Sequence, residues 1–495
     1  ALAAALPGVE LVRTGTRGML WLEPLLEVET AAGRVGYGPL AAADVAGLVA
    51  AGLPEGGAHP RRIGVVADHP FLAAQTRLTF ARVGVADPLS TAAYLAAGGM
   101  AGLRRALAIG PAAVRAAIAA SGLRGRGGAG FPAGRKWETV AAQAAGAAAA
   151  GPGGKFVVAN ADEGDSGTFA DRMLMEGDPF TLIEGMAIAG FATGARHGFV
   201  YLRSEYPVAA RRFAAALAAA RAAGWLGADV LGSGWGFDIT LRLGGGAYVC
   251  GEETALLESL EGRRGQVRPR PPLPAERGLF GCPTLVSNVL TLATAPWILA
   301  HGAEAYAAHG HGRSRGTMPI QLAGNVRRGG LFETGFGLSI AEIVHDIAGG
   351  TGSGRPLAAV QAGGPLGAYL PPAALATRYD YEEMAARDFL LGHGGLVLFD
   401  DTADLGRLAR FAMAFCRAES CGKCTPCRIG AVRGVEALDR LLAGDATQAP
   451  LIEALCETMR FGSLCGLGGF VPYPVLSVLR HFPEAFGLAA REERE

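Results

Sequence analysis

Four cysteines carry the most specific chemistry in this sequence: Cys421, Cys424 and Cys427 in Ser-Cys-Gly-Lys-Cys-Thr-Pro-Cys-Arg, and Cys465 in Ser-Leu-Cys-Gly-Leu-Gly. Three thiols spaced two residues apart on one loop, with another beyond a helix-sized gap, have the spacing of a four-sulfur metal centre. Three sulfurs on one loop suit the corner of a cubane iron–sulfur cluster better than tetrahedral zinc, whose ligands usually come as two separated pairs. Zinc stays open on spacing alone. A cubane cluster passes single electrons, so the rest of the chain should hold their source. The remaining cysteines, Cys250, Cys282, Cys416 and Cys456, read as small buried apolar residues.

Three further motifs bear on that source. Gly125-Arg-Gly-Gly-Ala-Gly130-Phe-Pro-Ala-Gly-Arg-Lys136 contains the spacing G-x-G-x-x-G. It follows a helical pattern and not a strand, and no acidic strand end lies about 20 residues on, so an ordinary dinucleotide fingerprint fails. Consecutive glycines can still bring backbone N–H groups against a phosphate, with charge from Arg126 and Lys136; a glycine-rich hinge is the plainer reading. Asn160-Ala-Asp162-Glu163-Gly-Asp165-Ser166 follows a buried strand directly, where polar groups face the ligand crevice of an open α/β sheet. A capped turn is its alternative. In Gly244-Gly-Gly-Ala-Tyr248-Val-Cys-Gly251-Glu252-Glu253, paired carboxylates open a helix, placed either to complement its dipole or to meet ribityl or ribose hydroxyls. No Ser/His/Asp or Cys/His hydrolytic set is present, and the nine histidines are scattered.

The elements that must position these residues follow from length and pattern. A chain of 495 residues holds roughly two to four domains. Lys+Arg and Asp+Glu balance at 45 each, so no global field draws the chain to nucleic acid or to a membrane surface. No run of about 18 uncharged apolar residues predicts a membrane span. The Ala-rich start lacks a basic segment leading into a strong apolar one, so no secretory signal is expected, and a few residues are expected to precede the first alanine. Crowded thiols then point to a reducing cytoplasm.

Strands are expected at Leu20–Val28, Arg34–Tyr37, Ile63–Ala67, Lys155–Asn160, Phe199–Arg203 and Phe237–Leu243, and helices at Ala41–Ala51, Thr91–Ala108, Pro111–Ser121, Pro207–Ala223 and Glu252–Leu260. Asp178-Pro179 opens another helix, to about Thr193. This alternation predicts a parallel or mixed sheet wrapped by helices. Arg263–Gly281 reads as an irregular loop and Ala141–Gly154 as a flexible surface insertion. Strands near Met318–Ala323 and Leu357–Gln361 flank a helix at Ile340–Ile347, enough for a small α+β domain. Beyond Asp401 the helical periodicity implies a C-terminal bundle whose first two helices are joined by the cysteine loop.

Taken together, GRGGAGFPAGRKW, NADEGDSGTF, GGGAYVCGEETALLESLEG, GCPTLVSNVLTL and SCGKCTPCR resemble the NADH-binding flavoprotein subunit of respiratory complex I and the related diaphorase subunits of NAD-linked hydrogenases and formate dehydrogenases. The likeness runs over about residues 100–495. It implies FMN, NAD(H) and one [4Fe–4S] cluster in an α/β multidomain chain. The implied parts are a Rossmann-like FMN- and NAD-binding domain over residues 61–310, a β-grasp-like domain over 311–395, and a four-helix bundle over 396–495 carrying the cluster on Cys421, Cys424, Cys427 and Cys465. By the same resemblance Gly125, Arg126, Gly127 and Gly128 would cradle the FMN phosphate, with Lys136 nearby. Asn160, Asp162 and Glu163 would hold the ribityl chain or ring. Tyr248, Gly251, Glu252 and Glu253 would lie at the flavin and nicotinamide face, where Glu163 and Glu253 would be the catalytic pair. Asn288 and Thr291 would complete the phosphate end, with Val286 among the cofactor contacts. Phe131 would stack on the adenine of NAD, and Asp165 would meet the bound nucleotide.

The sequence departs from that family at three places. Asp165-Ser166 replaces a Glu-Pro pair, Ser287 stands where the complex I form has the first of two asparagines, and Leu273 stands where an aromatic often clamps NAD. Residues 1–60, through Thr14-Gly-Thr16-Arg-Gly-Met-Leu20 and Tyr37-Gly-Pro, resemble part of the thioredoxin-like [2Fe–2S] subunit that partners this flavoprotein. Thr16 and Leu20 stand where that family has cysteines, so the domain is expected to lack its cluster and to serve docking. The function implied is hydride exchange between NAD(H) and FMN, with single electrons passed to or from the [4Fe–4S] cluster. The first choice of complex is a cytoplasmic formate dehydrogenase with a molybdenum iron–sulfur subunit and a thioredoxin-like [2Fe–2S] subunit. An NAD-reducing [NiFe] hydrogenase and complex I itself are the alternatives. Two other classes stay open: an electron-transfer module with a dead nucleotide site, and a zinc-structured scaffold.

Overall fold

A computed structural model describes residues 2–146 and 154–489. Near the start, strands Leu26–Thr30 (β1) and Gly33–Tyr37 (β2) form a hairpin, and Arg62–Val65 (β3) joins antiparallel to β2. Val35 pairs with Val65, so this sheet runs past Pro60, and the domain boundary expected at residue 60 falls inside it. The first strand starts only at Leu26, because Leu20–Leu22 is a single tight turn of helix. The helix expected over Thr91–Ala108 is two helices, Thr91–Ala96 and Ala101–Ile109, broken at Met100, whose φ is 64°.

The site rests on a four-stranded, all-parallel sheet: Phe156–Ala161 (β4), His197–Leu202 (β5), Asp238–Leu243 (β6) and Thr284–Asn288 (β7). Its spatial order is β6-β5-β4-β7. Side chains alternate across the pleat. Val157, Ala159 and Ala161 face a core that includes helices Ala101–Ile109, Pro179–Thr193 and Val289–His301, while Phe156 and Val158 face a second core shared with the C-terminal helices. The sheet is therefore the middle of three layers. The insertion expected at Ala141–Gly154 starts within the helix Ala133–Ala142, its ends meet where Gly146 N–H donates to Gly154 O (3.0 Å), and its residues 147–153 lie outside the described residues.

A short hairpin, Gly310–His311 (β8) and Ser314–Arg315 (β9), leads to a five-stranded sheet of Thr317–Gly324 (β10), Gly330–Gly335 (β11), Leu357–Ala362 (β12), Ala368–Leu370 (β13) and Gly395–Asp400 (β14). Its order is β11-β10-β14-β12-β13: two antiparallel hairpins flank a central parallel pair, β10 and β14. The boundary expected at 395 falls at the start of β14, which holds this sheet together. The N-terminal unit docks on the edge strand β11, where Leu331 N–H donates to Gly18 O (2.9 Å) and Met19 packs with Phe332.

Helices Leu405–Glu419, Thr425–Leu442, Gln448–Gly462 and Pro472–His481 form the C-terminal bundle, with the short helix Gly466–Phe470 between the last two. Among the described residues, no helix is long and apolar enough to cross a membrane.

Candidate functional site

In an open parallel sheet, ligands bind beyond the carboxyl ends of the strands where the chain reverses its direction of winding. Here the first two crossovers build outward from β4 to β5 and β6, and β7 returns to the other side of β4, so the reversal lies between β4 and β7. Asn160 is the penultimate residue of β4, and Asn288 ends β7. β4 was legible from the sequence; β7, hidden in a motif without a clear period, was not.

The glycine loop crosses this crevice. Gly125 N–H donates to Phe131 O (2.8 Å), closing it, and Gly127 runs close to β7, where an added Cβ would lie a tight 3.1 Å from Asn288 Cβ. Arg126 corrects an expectation. Its guanidinium is fully buried and directed away from the loop, donating to the carbonyls of Arg124 (3.0 Å), Arg315 (2.8 Å) and Thr317 (3.2 Å) and to the Tyr306 hydroxyl (2.8 Å). It fastens the loop to the neighbouring sheet and adds no charge to a phosphate site. Only its backbone N–H faces this way, and that bonds to Thr291 Oγ1 (2.9 Å). Lys136 remains, reaching Glu253 (2.9 Å) and Val286 O (2.8 Å), while Phe131 stands 49% exposed at the loop's edge. Leu273 is 45% exposed.

At the end of β4, Asn160 Nδ2 donates to Gly251 O (2.7 Å), joining two of the motifs. Asp162 has a buried Oδ2 with no hydrogen-bond partner among the described residues; burial pushes its carboxyl up to about 7 against the pull of Arg203. Glu163 corrects a second expectation. Its carboxylate is wholly buried and accepts from Asp171 N–H (3.1 Å), Arg172 N–H (3.1 Å), Tyr206 OH (3.1 Å) and His393 Nε2 (3.1 Å), so it faces protein and cannot act on a substrate. Burial opposes its charge, but His393 and the two N–H groups hold its carboxyl below the usual range. Asn288 is likewise committed: Oδ1 caps the helix Val289–His301 through Leu290 N–H (2.9 Å), and Nδ2 donates to Asp171 Oδ2 (2.8 Å). Asp165, half-buried, lies against Gly364, whose φ of +77° and lack of room admit no side chain, and accepts from the Tyr248 hydroxyl (2.8 Å).

The third motif joins the crevice to the cysteines. Glu252 is the N-cap of the helix Glu253–Leu260, accepting from Thr254 N–H and Ala255 N–H at 2.9 Å, and Arg270 pairs with both glutamates. The dipole reading of that pair is thus realised at Glu252. Tyr248 N–H donates to Glu419 (3.0 Å), next to the cysteine loop, and its ring packs edge-on against Phe415 at 4.9 Å. Cys421 and Cys427 are buried, Cys424 and Cys465 half-buried. Cys424 and Cys465 each occupy the N-cap of a helix, where the dipole favours a thiolate. The N–H groups of Leu467 and Gly468 point at Cys465, although burial, with Glu252 nearby, pushes its thiol up to about 11. Cys416 is buried in the core, as expected, and from there places Sγ 3.8 Å from Cys427 Sγ; with Ser420 Oγ at 3.2 Å and Arg428 it lowers the Cys427 thiol to about 6 against burial.

These donor sets fit the groups the sequence implied. An orphaned acceptor at Asp162 calls for a hydroxyl or N–H donor such as a ribityl chain or flavin ring carries, and four thiols with N–H groups aimed at one suit a thiolate-ligated cluster.

Comparison with known proteins agrees. A family profile described as the Nuo51 FMN-binding domain matches residues 118–297, and one described as the NADH-ubiquinone oxidoreductase-F iron-sulfur binding region matches residues 407–488. The NADP-reducing hydrogenase subunit HndC of Solidesulfovibrio fructosivorans is 44% identical over 414 residues, 83% of each chain. The F 2 subunit of the NADH-quinone oxidoreductase of Rhizobium meliloti (strain 1021) is 42% identical over 83% of this chain and 97% of its own. The crystal structure of an NAD+-reducing [NiFe]-hydrogenase in the air-oxidized state is similar with a TM-score of 0.68 at 30% identity, covering 93% of this chain and 75% of that one. In the H2-reduced state the TM-score is 0.68 at 34% identity over 76% of this chain, which there spans 62% of the hydrogenase chain.

Proposed function

This chain belongs to the family of NADH-binding flavoprotein subunits that carry FMN and a [4Fe–4S] cluster, and on that premise we propose that it is the diaphorase part of a larger dehydrogenase. One observation carries the proposal: the Tyr248–Gly251 turn touches Asn160 and Asp165 in the crevice and Glu419 beside the cysteine loop. FMN bound in that crevice supplies the conversion between a hydride, which moves two electrons at once, and a cluster that takes one.

The chain's own residues bind and orient. Backbone N–H groups of Gly127 and Gly128 offer a phosphate cradle in the loop that Gly125 closes, and Lys136 supplies a nearby cation that Glu253 and Val286 O hold in place. Asn288 and Thr291 hold that cradle's shape from behind. Asp162 accepts from the ribityl chain or ring, and Tyr248 and Gly251 lie at the turn behind them. Phe131, exposed at the mouth, is positioned to stack on an adenine. Cys421, Cys424, Cys427 and Cys465 hold the cluster. In this reading the three-stranded sheet is a thioredoxin-like unit without its cluster, the parallel sheet a Rossmann-like domain and the five-stranded sheet a β-grasp-like domain.

For the rest of the complex, the sequence favours a cytoplasmic, formate-oxidising molybdenum partner. The hydrogenase reading draws support from HndC and from the hydrogenase likeness that extends over 93% of this chain, N-terminal unit included. Metal analysis of the co-purified complex separates them: molybdenum supports the formate reading, and nickel the hydrogenase one. The diaphorase role itself is tested by Cys424→Ser. Bleaching of the flavin by NADH should persist in stopped flow while electron transfer to the next centre is lost; a variant that folds but no longer bleaches refutes this division of labour.

A further inference from the structure

His393 is a histidine no motif singled out, and it sits at the crossing of the crevice's parts. It lies in the turn Gly392-His393-Gly394 just before β14, fully enclosed, with Gln321 of β10 gripping it through Nε2 to His393 O (2.7 Å) and N–H to Gly394 O (2.7 Å). Its Nδ1 donates to Arg126 O in the glycine loop (2.7 Å). Its Nε2 lies 3.1 Å from Glu163 Oε1 and 3.4 Å from Asp171 Oδ1. Asp171 Oδ1 has no well-aligned hydrogen-bond partner among the described residues, and at 3.4 Å its attraction to the imidazole is chiefly one of charge. The three ligand-type atoms lie within 4.8 Å of one another, a spacing a bound cation would use. A protonated imidazole puts positive charge there from within the chain.

We propose that His393 is a positioning residue for the flavin: as an imidazolium it offsets part of the charge of the buried Glu163 and Asp171 carboxylates behind the glycine loop and holds that loop through the Arg126 carbonyl, so that an anionic phosphate and an anionic reduced flavin are tolerated in the crevice. The inference rests on FMN occupying that crevice. Every element packed on the ring contributes to its charge state: Glu163 from the end of β4, Asp171 from the helix Ala170–Gly177, Asn288 of β7 through its bond to Asp171, and Asp165 farther off. The Arg126 guanidinium points elsewhere. Burial disfavours the proton, but Asp171 and Glu163 together hold the imidazole well above its ordinary value, and Asp171 in turn is pushed by burial up to about 6. Without the imidazole's charge, the two buried carboxylates would lie behind the glycine loop with no cation beside them.

His393→Gln retains a donor in place of the ring but no charge. In the full-length protein stripped of FMN and titrated with it, this variant should bind FMN at least tenfold more weakly at pH 7. Its bound flavin should have a more negative midpoint potential. Wild-type affinity should fall as pH rises through His393 deprotonation, whereas the variant should lack that step. Adding Asp171→Asn to His393→Gln should recover affinity and potential, which a purely structural role of the ring would not do. Should His393→Gln fail to fold, Asp171→Asn alone should shift the flavin potential in the positive direction. Unchanged affinity and potential in a folded His393→Gln overturns the proposal, as does an unmoved or more negative potential in Asp171→Asn. A wild-type protein that binds no FMN at all refutes the flavin assignment and this inference with it, an outcome distinct from a wild type that binds and a variant that binds equally well.

Discussion

Asp162 is the residue that the crevice tolerates least when it is empty of ligand. A carboxyl pushed up to about 7 in the folded chain and ordinary when unfolded costs stability above its unfolded value, and the cost vanishes as pH falls through 7 towards 4. Asp162→Asn should therefore stabilise the flavin-free protein at pH 8, by on the order of 3 kcal/mol, and change little near pH 4. Thermal unfolding at the two pH values measures this, and FMN should shrink the difference by giving Asp162 Oδ2 a donor. Cys416 invites a second prediction. Hydrogen bonds to ligand sulfurs raise a cluster's reduction potential. Removing the thiol 3.8 Å from Cys427 should then make the [4Fe–4S] cluster harder to reduce by on the order of tens of millivolts. An EPR-monitored titration of Cys416→Ala, at unchanged iron content, reads the shift.

Among the elements, the crossing of helices Pro179–Thr193 and Val289–His301 governs how β4 and β7 sit beside each other. Gly185 lets the two backbones touch: an added methyl group would run into the Leu292 carbonyl. Backbone cannot yield as a flexible side chain can, so Gly185→Ala should destabilise the protein by about 1–3 kcal/mol, or more. Because β7 is the strand that makes the crevice, FMN release on heating should fall together with the unfolding midpoint, which differential scanning with flavin fluorescence would show. The helix Glu253–Leu260 was readable from Glu252 and Glu253 as a capped start. Which of the two caps was not readable, since either carboxylate could reach the free N–H groups until Lys136 claimed Glu253.

For the molecule as a whole, the N-terminal unit is attached along an edge and not through a linker. Gly330 lies so close to Gly18 that an added Cβ would strike its carbonyl, and Glu333 of β11, fully buried, accepts from Thr79 N–H (2.9 Å), Phe80 N–H (3.0 Å) and Thr317 Oγ1 (2.6 Å). Gly330→Ala should loosen this attachment, making residues before Leu20 more accessible to protease while FMN absorbance and NADH bleaching stay as in the wild type. Equal loss of flavin would mean that the unit supports the crevice and does not merely dock on it.

Short-range chemistry was legible in the sequence alone. The spacing of Cys421, Cys424, Cys427 and Cys465 is local information, as are the glycines that leave a backbone bare and the Asp178-Pro179 start of a helix. These fix what a segment can bind or form whatever surrounds it. Pairing across distance was not legible. β7 and β14 lack a period of their own and exist because β4 and β10 offer edges to them; with β7 came the crevice, with β14 the strand that overrides the boundary expected at 395, and with β3 the pairing that overrides the one expected at 60. Side-chain direction was also decided by packing. Arg126 and Glu163 stand in ligand-like motifs, yet their side chains satisfy buried partners. His393, unremarkable in sequence, gains a role because two distant carboxylates need a charge. A motif names the atoms available, and only the folded surroundings, through desolvation and the competition for hydrogen bonds, decide which of those atoms remain free for a ligand.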